Sequence, residues 1–353
     1  MSQLIPQYDS IDFSLLSSPV TLGEVEVYRR RHGAKWSLRG LVLLAVVLFV
    51  ALVAHAFLPY DMQLLRGREM LVVFAGVVLL WQAGALWYST KADVRISRMA
   101  DAAGLEYSPN DGVELAGTGV IFDIGRSRIF RQTLYRQDES GRRVFEIGRY
   151  QYTIGSGKNS RTSYWRYACV QLERRLPHVL LDATDNNARV FGREQSDLPA
   201  SFATSQTIKL EGDFNQYFTL YAPAGYDVDV RYILTPDLMA MLIDGAARYN
   251  IEIIDDKLYF YVRDTFGTDY RSVQRLLALV DRVGQKLYDR TDYYADDHVA
   301  APRTANVVAE SGQRLRTRRW HVSLLVLVII GIILIVIVPL VVMNITSFME
   351  LNR

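Results

Sequence analysis

The hydrophobic residues of this 353-residue chain are concentrated in three long blocks. The blocks cover residues 40–58, 70–88 and 322–343, and none of them contains Asp, Glu, Lys or Arg. A helix rises about 1.5 Å per residue and the hydrocarbon core of a bilayer is about 30 Å thick, so about 20 apolar residues cross it. The pattern therefore predicts three transmembrane helices.

Basic residues beside these blocks predict which side of the membrane each segment occupies, because the short segments on the cytoplasmic side of a membrane carry an excess of Lys and Arg. Three clusters fall on one side if the chain crosses three times: Arg29, Arg30, Arg31, Lys35 and Arg39; Lys91, Arg95 and Arg98; and Arg314, Arg316, Arg318 and Arg319. The other side receives only Arg66, Arg68 and Arg353. We therefore expect a multi-pass plasma-membrane protein with residues 1–39 and 89–321 in the cytoplasm, and with loop 59–69 and tail 344–353 outside.

The first and third basic clusters allow two interpretations. They set the topology, or they also bind anionic lipid headgroups, since each Lys or Arg near the surface of an anionic bilayer contributes about 1 kcal/mol. On the second interpretation the membrane-surface residues are Arg29, Arg30, Arg31, Lys35, Arg39, Arg314, Arg316, Arg318 and Arg319. The expected partners are then the lipid bilayer and its headgroups.

The region between the second and third blocks has the pattern of a globular domain. Lys91–Gly104 has the spacing of a helix that ends at glycine. Arg143–Ile154 and Ser163–Leu172 are rich in aromatic and β-branched residues and flank the turn-forming sequence GSGKNSRT, which predicts a β-hairpin. Pro177 is expected to end the second arm, with a further short strand at Val179–Leu181.

The second half of this region adds strands and two helices. Strands are predicted at Gln206–Leu210, Phe218–Tyr221 and Asp229–Leu234, and a hairpin at Ile251–Ile254 and Lys257–Arg263 that turns at Asp255-Asp256. Helices are predicted from Thr235-Pro236-Asp237 and over Tyr270–Tyr288. The expected fold is one α+β domain over 89–290, an antiparallel sheet with a few packed helices, in addition to the three transmembrane helices. Residues 291–321 are expected to be a polar tether.

Composition excludes several classes of function. The net charge of +2 provides no global field that would attract nucleic acid, so no nucleic-acid partner is expected. The single cysteine, Cys169, excludes an intramolecular disulfide framework, and we expect it to be packed in a strand. The five histidines are far apart and no pair has the spacing of zinc ligands.

Two motifs contain basic residues but do not match a known binding site. Gly155–Ser160 resembles a phosphate-binding loop, but Tyr152 stands where the first glycine is needed and Asn159 replaces the hydroxyl residue, so a hairpin turn is expected. Arg126, Arg128 and Arg131 lie beside Phe130 and could contact nucleic acid, but the low net charge favours a solvated surface. No catalytic, cofactor-binding or metal-binding residues are predicted.

Two stretches resemble a bacterial family of unknown function, the DUF3137 domain. They are Leu210–Phe218, with the sequence LEGDFNQYF, and Val230–Met239, which contains the Leu-Thr-Pro helix start. The hydrophobic alternation of 251–262 also fits the family. The resemblance implies one membrane-anchored α+β domain and brings no activity, cofactor or site residue. We also expect Phe214 and Phe218 to anchor a short helical turn and Asn215 to bond to backbone groups there.

Three functions remain open from the sequence. The favoured hypothesis is an interaction or scaffold domain held at the inner leaflet, with a protein partner or self-association. The alternatives are an enzyme acting at the membrane surface and a sensor of a small ligand. A polar pocket or ligand-induced stabilisation would favour the alternatives.

Overall fold

The computed structural model describes residues 5–32, 66–111, 117–190, 193–264, 270–300 and 305–317, with isolated positions between them. The helices are α1 (Leu22–Arg31), α2 (Arg66–Ala102), α3 (Phe214–Tyr217), α4 (Asp227–Ile233), α5 (Pro236–Ala246), α6 (Tyr270–Leu279), α7 (Gln285–Thr291) and α8 (Glu310–Gln313). A π-helical turn, Val280–Gly284, joins α6 to α7. The strands are β1 (Glu106–Asp111), β2 (Arg126–Gln137), β3 (Arg143–Ile154), β4 (Arg161–Ala183), β5 (Ala188–Val190), β6 (Arg193–Gln195), β7 (Thr207–Ile208), β8 (Phe218–Tyr221) and β9 (Asn250–Arg263).

An antiparallel sheet of seven strands forms the centre of the domain, and β5 and β6 form a separate pair. The strand order is β1-β2-β3-β4-β8-β7, and β9 pairs with the opposite edge of β4. The 23-residue β4 pairs with β3 in its first half and with β8 at its end. The predicted α+β class, the β3–β4 hairpin and its GSGKNSRT turn are confirmed.

Two predicted strand ends are wrong, and for the same reason. β4 continues through Pro177 to Ala183, and β9 is one strand in which Asp255 lies opposite Leu176. The register of the β4–β9 pair is irregular on both sides of this position, and Asp255 has a φ of 55°. Aspartate tolerates that left-handed conformation, and a bulge accommodates proline. Local turn signals therefore mark a bulge in a long pair of strands.

The predicted strand at Asp229–Leu234 is also wrong, because this segment belongs to helix α4. Its Val, Tyr and Ile residues have strand propensity, but Val230 and Ile233 are buried three residues apart on one side of the helix. Acidic residues Asp227 and Asp229 in the first turn complement the helix dipole. The burial of one helical face outweighs the weak intrinsic preference of these residues for a strand.

The sheet has two different faces. Helices α4 to α7 and the end of α2 cover one face, where the core is aliphatic with Phe145, Phe214, Phe218 and Phe260. Tyrosine dominates the other face, which is closed by the loops that carry Ile121, Phe122 and Phe202. The aromatic side chains of this second face are fully or almost fully buried: Tyr150, Tyr152, Trp165, Tyr167, Tyr259 and Tyr261. Cys169 lies among them, as expected, and it is free and buried.

The predicted helical turn at α3 and the predicted start of α5 are confirmed, but the predicted capping by the Thr235 side chain is wrong. Phe214 and Phe218 stack with ring centroids 5.1 Å apart. Asn215 accepts a hydrogen bond from the Leu210 N–H at 3.1 Å and donates one to the Leu210 carbonyl at 2.6 Å. Helix α5 begins at Pro236 after Thr235, although the Thr235 hydroxyl donates to the Asp237 carboxylate rather than capping a backbone N–H.

The prediction of three transmembrane helices is wrong for the part of the chain that the structure describes. Among those residues no helix combines the length and the apolar character needed to cross a bilayer. In α2 the apolar residues around Val77 and Trp81 are followed within the same helix by Lys91, Asp93 and Arg95, so that the helix continues into a polar half. The block 322–343, and block 40–58 apart from isolated positions, lie outside the described residues.

The predictions of a multi-pass protein and of its orientation in the membrane both depended on three crossings. The described residues do not support them. The segment predicted as a polar tether lies against the domain over its described part, where Tyr294, Asp296 and Leu315 are buried. It contributes to both faces of the core.

Candidate ligand-binding site

A cleft of about 1120 Å³ opens on the helical face of the domain, between α5 and α6. Met241, Ala278, Leu279 and Val283 give it an apolar floor. Charged side chains form its rim: Asp185, Asp244, Arg248, Arg275 and Arg282. Small-molecule sites are typically clefts of a few hundred to about 1000 Å³ with an apolar lining and a few convergent polar groups. The cleft has the size and the mixed lining of such a site.

Four separate segments build the cleft. The turn after β4 provides Thr184, Asp185 and Asn187, and the Thr184 hydroxyl donates to the Gln216 carbonyl at 2.7 Å, which fixes this turn against α3. Helix α3 provides Gln216 and Tyr217, and the end of α5 with the residues after it provides Asp244 and Arg248. The remaining wall is α6 together with the π-helical turn.

The π-helical turn contributes two residues to the lining of the cleft. Arg282 and Val283 lie in this turn and line the cleft. Gly284 is the last residue of this turn, and a Cβ atom there would lie 3.1 Å from the Val280 Cγ1 atom, a closer contact than most side chains make. Such single π turns are frequent at functional sites.

The electrostatic environment of the cleft is positive. Three arginines against two aspartates line the rim, and one pair, Arg248 with Asp185 at 3.1 Å, is highly exposed and therefore contributes little to stability. Burial raises the pKa of the Tyr249 hydroxyl, and the charges that oppose this rise belong to Arg275, Arg166 and Arg248. The Tyr249 hydroxyl is therefore within reach of the charge of three guanidinium groups, of which Arg248 and Arg166 also pair with Asp185 and Asp264.

A second cluster, outside the cleft, has the composition of a metal site. Asp229, Asp296 and His298 place one potential ligand atom each within 4.8 Å of one another. The Asp296 carboxylate already accepts four hydrogen bonds, from Tyr226 Oη at 2.9 Å, from the Ala309 N–H at 2.9 Å, and from the backbone N–H and Nδ1 of His298 at 2.8 and 2.9 Å. The bond between the His298 side chain and Asp296 raises the pKa of His298, and the four bonds together occupy the carboxylate. The cluster therefore fastens the C-terminal segment to α4.

A buried polar network crosses the tyrosine-rich face. The Glu252 carboxylate, fully buried, accepts hydrogen bonds from Tyr261 Oη at 2.7 Å and from the Val120 N–H at 2.8 Å. His178 Nε2 lies 2.7 Å from the same carboxylate, while its Nδ1 accepts the Leu315 N–H at 3.1 Å. This pattern assigns the hydrogen of the imidazole to Nε2. The network is closed off from the surface and joins two loops to β9.

The residues predicted to lie at a membrane surface are distributed over both ends of the chain. Arg29, Arg30 and Arg31 form the last turn of α1, and Lys35, Arg39, Arg318 and Arg319 lie outside the described residues. Arg314 is bound to Asp255 through two hydrogen bonds of 3.0 and 2.9 Å, and the Arg316 N–H donates to Gln206 Oε1 at 2.8 Å. None of these residues lines the cleft, and their binding of lipid headgroups stays a prediction.

Sequence reasoning missed the residues of the cleft. Arg275 and Arg282 are seven residues apart, which places them on one side of a helix, and this spacing is the signal that was available. Asp185 and Arg248 carry no comparable local signal, because they meet only after β4, α5 and α6 have packed.

Comparison with known proteins adds no family and no activity. No protein-family model matches the chain, and no curated protein matches it. A solved structure, the crystal structure of the mycobacterial trehalose monomycolate transport factor A, TtfA, is similar with a TM-score of 0.36 and 9% sequence identity, over 57% of this chain and 94% of that one. A likeness at this level supports no argument about fold details or function. The resemblance to the DUF3137 domain stays a prediction.

Proposed function

We propose that the domain is a binding module that receives a small organic anion in the cleft between α5 and α6. The observation that carries this proposal is the convergence of Arg248, Arg275 and Arg282 on a cleft of about 1120 Å³ with an apolar floor. Guanidinium groups bind carboxylates and phosphates through paired hydrogen bonds, and the apolar floor accepts a hydrocarbon or ring portion. Of the functions predicted from sequence, this corresponds to the small-ligand sensor.

Ligand-induced stabilisation of the full-length chain tests the proposal, because a ligand that binds only the folded state raises the melting temperature. The probes are citrate, inorganic pyrophosphate, glucose 6-phosphate and AMP, each against sodium chloride at equal ionic strength. We expect at least one organic anion to raise the melting temperature, and isothermal calorimetry to give one site per chain.

Arg275→Gln and Arg271→Gln form a matched pair of variants. Both residues are exposed arginines of α6, one turn apart, but only Arg275 lines the cleft. We expect Arg275→Gln to weaken anion binding about tenfold, equivalent to one lost charge-assisted hydrogen bond, and Arg271→Gln to change it less than twofold. Equal effects of the two variants, or no stabilisation by any of the four probes, would contradict the proposal.

A protein-interaction role is a second candidate, and an exposed apolar patch supports it. Val228 and Tyr232 lie one turn apart on α4 and are 78% and 38% exposed, and Tyr293 after α7 is 82% exposed. The Arg290 guanidinium lies 4.2 Å from the Tyr232 ring centroid. Tyrosine and arginine are enriched where protein partners bind. Crosslinking through Tyr293, compared with Tyr293→Ser, tests whether a partner or a second copy of the chain occupies this patch.

A further inference from the structure

Two motifs that have no role in the cleft lie at the same end of the sheet. In the β2–β3 pair Arg126 is opposite Thr153, and in the β3–β4 pair Ile154 is opposite Arg161. The glycine-rich turn with Lys158 is therefore beside the first residues of β2. Arg128 donates to the backbone carbonyls of Gly125 and Asp123 at 3.2 and 2.8 Å, which orients its side chain without neutralising its charge.

The hairpin tip also exposes apolar side chains. Ile154 is 44% exposed and Tyr164 is 43% exposed, both next to the basic residues of the turn. Lys158 and Arg161 are exposed as well. A protruding turn that combines cations with an aliphatic and an aromatic side chain is suited to a surface with anionic groups above an apolar layer.

Helix α2 brings further exposed apolar residues to this end. Gln132 Nε2 donates to Asp93 Oδ1 at 2.7 Å, and the Arg136 guanidinium lies 3.5 Å from the Ala103 carbonyl, so α2 runs in the same direction as β2. The residues of α2 that precede Asp93 consequently extend towards Arg126. Twelve residues of helix cover about 18 Å, and on this part of α2 the exposed large apolar residues are Val77, Leu80, Trp81 and Tyr88.

Helix α1 runs towards the same end of the domain. Its Glu24 pairs with Arg98 of α2 at 2.9 Å, and its Tyr28 packs 6.3 Å from the Tyr107 ring, whose hydroxyl donates to Asp93 at 3.0 Å. The two helices are thus antiparallel, and the exposed Arg30 and Arg31 of the last turn of α1 lie towards the hairpin tip. Arg30 forms an ion pair with Glu26, with 3.5 Å between Nε and Oε1.

We propose that this end of the domain docks peripherally on an anionic lipid surface. We call it the basic end and define it by Arg30, Arg31, Arg126, Arg128, Lys158 and Arg161. Charge complementarity selects an anionic partner, and the aliphatic side chains Ile154, Val77 and Leu80 favour lipid over nucleic acid, because aliphatic groups do not stack on bases. Such contact needs no membrane-spanning helix, since cations near an anionic bilayer contribute about fivefold each to partitioning.

Flotation of the full-length chain with preformed vesicles tests the proposal. Vesicles of phosphatidylcholine alone are compared with vesicles that contain 30 mol% phosphatidylglycerol. We expect Arg126→Gln/Lys158→Gln/Arg161→Gln to lower binding to the anionic vesicles about 100-fold, and added salt to weaken the binding of the parent chain. The matched control, Lys209→Gln/Arg231→Gln/Arg271→Gln, removes the same charge from exposed positions elsewhere and should change binding less than threefold.

A local probe separates docking of the hairpin tip from attachment through any other segment. Ile154→Cys adds an exposed thiol to a chain whose own Cys169 is buried, so an environment-sensitive dye labels the tip selectively. We expect its emission to shift to the blue with anionic vesicles only, and a label at Lys209→Cys to show no shift. An unchanged emission at the tip, or equal binding of the triple variant and the parent chain, would overturn the proposal. Binding of a single-stranded oligonucleotide that is lost in the triple variant, without vesicle binding, would assign the basic end to nucleic acid instead.

Discussion

Asp182 provides a direct test of the electrostatics of the buried face. Its side chain is 4% exposed and accepts a hydrogen bond from Ser196 Oγ at 2.9 Å. Burial, together with the nearby charge of Asp197, raises the pKa of Asp182 to about 7, and the Ser196 hydrogen bond opposes this rise. Burial also raises the pKa of Asp197, whose carboxylate accepts a hydrogen bond from Asn250 at 2.8 Å. The pair favours the protonated form of Asp182 at mildly acidic pH.

The sign of the resulting pH dependence follows from linkage. The folded-state pKa of Asp182 is above the ordinary value of 3.8, so between about pH 4 and pH 7 the folded state holds a proton that the unfolded state has released. The contribution to stability is complete below about pH 4 and is lost as the pH rises towards 7. Three pH units correspond to a loss of at most about 4 kcal/mol.

Asp182→Asn should remove this loss, because the amide has a similar shape, keeps an oxygen that accepts from Ser196, and does not ionise. Urea unfolding of the parent and variant at pH 5, 6, 7 and 8 gives the comparison, with tryptophan fluorescence and circular dichroism as independent probes of one transition. We expect the variant to gain about 1–3 kcal/mol relative to the parent between pH 5 and pH 8, because only the pH units between 5 and 7 contribute. The control Asp213→Asn, at an exposed position, should leave the profile unchanged. Parallel profiles of the Asp182 variant and the parent would refute the reasoning.

Three further substitutions or reactions test individual contacts. Asn215→Ala removes both hydrogen bonds to the backbone of Leu210 and should lower the free energy of unfolding by about 1–3 kcal/mol in urea titrations. Gly119→Ala would place a methyl group 1.8 Å from the Tyr261 hydroxyl, so we expect a loss of more than about 2 kcal/mol or no cooperative unfolding at all. Burial raises the pKa of the Cys169 thiol, and this cysteine should resist Ellman's reagent at pH 8 in the folded chain but react fully in urea.

Local patterns predicted the elements whose contacts are close in sequence. The β3–β4 hairpin was found because its two arms flank one turn, and the stop at Gly104 because the chain there adopts a φ of 63° that glycine accepts readily. The segment around α3 was found because Phe214 and Asn215 act on residues only four or five positions away. Such interactions are visible in the sequence without knowledge of the sheet.

The errors lie where a distant partner decides the local structure. Asp255-Asp256 has the composition of a hairpin turn, and only the pairing of β9 with β4 shows that the strand continues past it. The apolar block that contains Trp81 has the composition of a membrane span. Only the structure shows that the same helix continues through the polar residues from Lys91 to Ala102. The arginines of the cleft meet only in the folded chain.

The irregular pairing of β4 with β9 centres on Leu176 of β4, which lies opposite Asp255 of β9. Pro177 has no N–H for the ladder, so the pairing must be interrupted there in any case. The extra residues lie on β4, which advances eight positions from Gln171 to Val179 while β9 advances four from Lys257 to Ile253. Opposite them on β9, Asp255 adopts the left-handed conformation, and its carboxylate binds Arg314 through hydrogen bonds of 3.0 and 2.9 Å. The irregularity thus creates an anchor for the C-terminal segment, and the adjacent Leu315 N–H binds the buried His178. A defect in one pair of strands therefore determines where the end of the described chain attaches, which the sequence of neither strand indicates alone.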